Sequence, residues 1–133
     1  MWGFQASGFS VFIQTQENVN RMRIVVQIGD ASTLSQPQLL TLLEANYHTA
    51  LDARYAVTDD VIVATFIHPL RELTLTQFIL GIYQSVHCAE TYGTDFSGGT
   101  LVFGTSQGGS GIGQGEDVIE LVMDQVVRKI RGD

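Results

Sequence analysis

The sequence predicts an α+β fold in which two strand pairs are each followed by a helix. Three observations carry this. Residues 50–69 (ALDARYAVTDDVIVATFIHP) read as two apolar strands around an acidic turn, and they lead straight into LRELTLTQFILGIYQSVHCAETY, whose apolar residues recur with helical spacing. An earlier pair of alternating runs at residues 9–14 and 22–28 again precedes a helical pattern. The order from Phe9 to Tyr92 is therefore ββαββα.

The elements follow in order. Phe9, Val11 and Ile13 alternate with Ser10, Phe12 and Gln14, the period of two expected when one face of a strand meets a core. Residues 17–20 offer a turn, and Met22, Ile24, Val26 and Ile28 continue the alternation in a second strand, antiparallel by its short connection. Trp2 and Phe4 fit either an earlier strand or a frayed lead. Ser35 as a cap and Pro37 in the first turn start a helix that runs to Thr49, with Leu39, Leu42, Leu43 and Tyr47 expected on one face. Leu51, Ala53, Tyr55 and Val57 alternate again, Thr58-Asp59-Asp60 turns the chain, and residues 61–67 form a strand apolar on both faces, as in the interior of a sheet. Pro69 stops it, and Thr74 caps the next helix.

That helix has a main stripe of Leu75, Phe78, Ile79, Ile82, Val86 and Ala89, and Tyr92-Gly93 supplies its glycine end. A second stripe of Leu80, Tyr83 and His87 lies partly off the first, so a second surface is expected to cover it, such as a homodimer mate. Beyond Gly93 the character changes. Residues 100–103 suit a short strand ending the domain at residues 1–103, and residues 104–115 carry no charge and no proline and read as a glycine-rich flexible linker. Residues 116–133 read as a C-terminal amphipathic helix. It opens on Glu116 and Asp117, closes on Arg128, Lys129 and Arg131, and has Val118, Ile119, Val122, Met123, Val126 and Ile130 on its apolar side.

Composition narrows the function classes. The 133 residues suit one domain with a single core, and 44% apolar against 16% charged residues is a globular balance with apolar surface to spare for an interface. Seven Lys and Arg stand against fourteen Asp and Glu, for a formal net charge of -7. Without a cluster of cations outside the last residues, neither nucleic acid nor an anionic membrane surface is the expected partner; a protein is. The single cysteine, Cys88, permits no internal disulfide, and MWGFQASGF has neither the basic start nor the apolar run of a secretion signal, so a cytoplasmic protein is expected.

Each chemical motif has a plainer structural reading. The glycines at 109, 111, 113 and 115 miss the dinucleotide fingerprint, and no Gly-Lys-Ser/Thr follows, so a tether is favoured over a phosphate loop. His87 and Cys88 are adjacent, and neighbouring helical positions diverge by about 100°, so thiol and imidazole do not meet. His48, His68 and His87 lack the close pair that marks zinc. Asp59 and Asp60 are ordinary turn residues, and the terminal Arg131-Gly132-Asp133 is read as chance. The expectation is no catalytic residues, no cofactor and no metal.

The ββαββα order, centred on LLEANYHTALDARYAVTDDVIVATFIHPLRELTLTQFILGIYQSV, resembles the type III secretion chaperone-like superfamily, and within it the YbjN-type and uncharacterised cyanobacterial branches more than the true secretion chaperones. The resemblance spans residues 9–92 of 133. It implies a twisted antiparallel sheet with helices packed on it, dimerisation, and binding of protein segments rather than catalysis. The N-terminal helix common in that superfamily has no counterpart before Phe9, and the tether with its terminal helix has none either. The expected function is a non-enzymatic homodimeric binding or regulatory module, with Leu80, Tyr83, His87, Val122, Met123 and Val126 at the interface. The alternative is a small-molecule-binding domain or weak hydrolase built from His48, His68, Asp52 and Arg54.

Overall fold

Tight turns set the strand pairing. In a computed structural model describing residues 1–99, Ser7 (φ 52°) and Gly8 (φ 81°) join β1 (Trp2–Ala6) to β2 (Phe9–Gln16). Asp59 (φ 49°) and Asp60 (φ 60°) join β4 (Arg54–Thr58) to β5 (Val61–His68). Two left-handed residues in a two-residue loop give the hairpin turn whose twist matches that of the strands. Between β2 and β3 (Arg21–Asp30) a single 3-10 turn ends on left-handed Asn20, which tolerates that conformation better than most residues. The unassigned lead of Trp2 and Phe4 is thus a strand, β1.

The five strands form one antiparallel sheet in the order β1-β2-β3-β5-β4. Helix α1 (Gln36–His48) carries the chain past the place β5 later fills, and β5 returns to pair with β3 on one side and β4 on the other. That interior place pairs both edges of β5, but its faces differ: Ile62, Ala64 and Phe66 join the core, whereas Ile67 on the other face is 57% exposed. The register aligns Val11 with Val26, Ile13 with Ile24, Ile24 with Phe66 and Val26 with Ala64, making one continuous apolar face. Helix α2 (Leu75–Glu90) lies on that face, chiefly over β3 and β5. It comes closest at Gly81, where a Cβ would stand 2.6 Å from the Phe66 ring.

Both helices start as their sequences predict. The Ser35 hydroxyl accepts from the Gln38 amide while the Gln38 side chain accepts from the Ser35 amide, and Thr74 and Gln77 repeat this reciprocal cap on α2. Two expectations need correction. Of the residues expected on one face of α1, only Leu42 points into the core, joined there by Ala45, while Leu39, Leu43 and Tyr47 point outward. The strand expected from Leu51 starts at Arg54 instead, because Leu51 sits at φ 63° in the turn after α1. The strand at 100–103, the tether at 104–115 and the helix at 116–133 lie outside the described residues.

Candidate protein-binding surface

Helix α1 is held to the sheet by a narrow contact. Leu42 and Ala45 are its buried residues, and Asn46 reaches the outer strand β4, where its Oδ1 accepts from the Tyr55 amide at 2.7 Å and its Nδ2 donates to the Tyr55 carbonyl at 3.0 Å. A side chain thereby does for one residue what a neighbouring strand would do, closing the sheet edge there. Two residues on, the next outward-facing backbone position of β4 is Val57, itself exposed. The outer side of α1 carries Leu40 at 57% exposure, Leu43 at 63% and Tyr47 at 83%, a stripe at helical spacing with Leu39 beside it. Covering a large apolar side chain is worth about 1.5–3 kcal/mol, so this helix leaves several kcal/mol of burial unused. The signal was in the sequence: four leucines among residues 39–43 exceed what one face of a surface helix can bury.

The second stripe of α2 is placed differently. Leu80, Tyr83 and His87 are half-buried, and Tyr83 and His87, one turn apart, stack with ring centroids 5.6 Å apart. Residues 91–99 fold back over part of this stripe. His87 Nδ1 lies 2.7 Å from the Ser97 carbonyl oxygen, and Gly99 packs near Tyr83 and Leu51. Part of the second surface expected over this helix therefore comes from the same chain. Val122, Met123 and Val126 lie outside the described residues.

The groups considered for chemistry have separate structural roles. Cys88 is fully buried, and burial pushes its thiol up to about 12, so it keeps its proton at neutral pH. The Tyr55 hydroxyl donates to the Cys88 carbonyl at 2.7 Å, and burial, with Cys88 beside it, raises the phenol too. His48 meets Tyr47 edge to face, whereas His68 stacks on Phe66 with Nδ1 2.9 Å from the Pro69 carbonyl oxygen. Asp52 accepts from Gln84 Nε2 at 3.2 Å, and Arg54 donates to the Leu51 and Ala53 carbonyls. Asp52 lies in the connection after α1 and Arg54 opens β4, while His68 closes β5 beside Phe66 on the core face. Among the described residues no three His, Cys, Asp or Glu side chains are grouped to hold a metal. No helix among them is long and apolar enough to cross a membrane.

Two of the shallow grooves among the described residues bear on this surface. One, of about 650 Å³, lies at the hairpin end of the sheet among Gly8, Gln27, Asp30, Asp59 and Asp60. There the Ser32 amide donates to Asp30 and holds its carboxyl below the usual range. The other, of about 470 Å³, is apolar and lies between the β1–β2–β3 side of the core face and the start of α2.

No family model and no curated protein matches the sequence. Among solved structures, a chain in the crystal structure of the ExsC-ExsE complex superimposes with a TM-score of 0.56 at 12% identity, over 68% of this chain and 71% of that one. Identity that low speaks for the fold alone. The antiparallel five-stranded sheet with two helices packed on it is the α+β architecture expected from the sequence, and that chain shares the fold.

Proposed function

We propose that this chain is a non-enzymatic protein-binding or regulatory module that works as a homodimer. The observation that carries the proposal is the outward stripe of Leu40, Leu43 and Tyr47 on a helix attached to the sheet by little more than Leu42, Ala45 and Asn46. A second copy of the same helix, with the adjoining β4 edge near Val57, would bury that stripe as a self-complementary two-fold contact. The similarity to a chain solved within a protein complex supports protein binding as the activity. Leu80, Tyr83 and His87 belong to this reading as a secondary contact, for the part of each side chain that residues 91–99 leave open. Membership of the YbjN-type or cyanobacterial branch and a cytoplasmic setting are further parts of it, resting on the sequence pattern and the lone Cys88.

Sedimentation tests the proposal. At micromolar concentration the chain is expected to sediment as a dimer, and Leu40→Glu/Leu43→Glu as a monomer. Both positions face outward, so the variant's far-ultraviolet circular dichroism should match that of the parent. A parent chain that is monomeric under these conditions overturns the homodimer.

A further inference from the structure

The apolar groove is a surface without a described occupant. Ile13 and Met22 form its floor, and Leu70, Leu73 and Phe78 wall it. Leu75 and Trp2, exposed at 70% and 61%, stand at its rim. Its polar groups are hydroxyls of Thr15 and Thr74, and the Thr74 hydroxyl already accepts from the Gln77 amide. A small molecule needs convergent polar groups to fix its orientation, whereas an open apolar groove suits the apolar face of a helix.

We propose that the occupant is the chain's own C-terminal amphipathic segment, residues 118–130, docked in cis. Val118, Ile119, Val122, Met123, Val126 and Ile130 recur with helical spacing over a segment of about 20 Å at helical rise. A helix this short is marginal alone in water, so it needs an apolar surface to form. The groove is within reach. The described chain ends at Gly99 beside Tyr83, and Leu75 lies about 12 Å back along α2. Residues 100–117 have a coil span of roughly 20–25 Å. A linker of that length holds the segment near the groove at an effective concentration on the order of millimolar, which favours its own groove over that of another copy.

Trp2, the one tryptophan of the chain, reports on the groove. In the full chain its emission should be shielded from acrylamide. In full-length Val122→Asp/Val126→Asp the emission should shift to the red and quenching should rise, with Leu75→Asp giving the same change from the groove side. Failure of Cys88 to react with thiol reagents in each variant confirms an intact core. Unchanged Trp2 emission and quenching in both variants overturns the docking. To separate cis from exchange between copies, the Val122→Asp/Val126→Asp chain is co-refolded with a Trp2→Phe chain. Trp2 remaining exposed supports docking in cis, and restored shielding overturns it in favour of exchange. Sedimentation plays no part in these readouts, so their failure is distinct from failure of the homodimer.

Discussion

Cys88 shows how one buried residue sets the chemistry available to its neighbours. Its thiol lies in the core near the Tyr55 side chain, and its carbonyl accepts a hydrogen bond from the Tyr55 hydroxyl, so the pair stabilises the core instead of presenting a nucleophile. Burial pushes the thiol from 9.0 to about 12, and Tyr55 is raised from 10.0 in the same direction. Between pH 9 and 12 the unfolded chain has lost the thiol proton while the folded chain keeps it, so unfolding releases a proton in this window. Stability is therefore fully supported below pH 9 and falls as pH rises, by at most about 1.4 kcal/mol per pH unit for each group. Urea titrations from pH 8 to 11 should show the midpoint dropping, and Cys88→Ala should lessen the slope. A flat midpoint across that range would count against the buried, proton-holding thiol. The diverging directions of His87 and Cys88 were legible in the sequence, because the helical rotation between adjacent residues is fixed. The phenol over Cys88 was not, because it comes from a strand more than thirty residues away.

At the scale of elements, local chemistry was readable and the choice of face was not. Ser35 and Thr74 were legible as caps because capping depends on residues three apart, and the β2–β3 and β4–β5 pairs were legible from alternation around a turn, whereas the β1–β2 hairpin was not. For α1, periodicity gave a helix but placed Leu39, Leu43 and Tyr47 inward with Leu42, because spacing alone does not say how narrow the contact with the sheet is. The residue that positions the junction after α1 was also missed. Gln84, buried on α2, accepts with Oε1 from the Asp52 amide at 2.8 Å and the Ala53 amide at 3.1 Å. A glutamine in an apolar helix gives no sign of serving a loop thirty residues earlier. Ala53 is fully buried, so Gln84→Leu strands its amide without a partner or water, at a cost of about 1–3 kcal/mol. Urea unfolding should read that loss with an unchanged m-value, and a variant as stable as the parent would show that the clamp contributes nothing.

For the whole molecule, the sheet order was not legible, because β3 and β5 pair across a helix and a further strand that no periodicity relates. The fold-back of residues 91–99 was not legible at all, and it ties the end of α2 to the α1–β4 junction. The Thr49 hydroxyl donates to the Phe96 carbonyl at 2.5 Å, and the Gly98 amide donates to the Thr49 carbonyl at 2.9 Å. Phe96 stacks into Tyr55 and Tyr92 with centroids 5.9 and 5.5 Å apart. Gly98 is the pivot of this arrangement, since a Cβ there would sit directly on the Ala50 carbonyl oxygen, a backbone atom that no rotamer change moves. At Gly99 a Cβ would meet a Leu51 methyl at 3.3 Å, and that side chain can shift. Gly98→Ala should therefore open the fold-back, uncover Tyr83, His87 and Phe96, and cost about 2–4 kcal/mol, near the upper end for single substitutions. Gly99→Ala should stay within about 1 kcal/mol of the parent, since only a flexible side chain must give way. Thermal unfolding together with binding of a dye specific for apolar surface distinguishes the two. A lower Tm and a brighter dye signal for Gly98→Ala alone is the expected pattern, and equal behaviour of the two variants would mean that this segment does not hold the two halves of the molecule together.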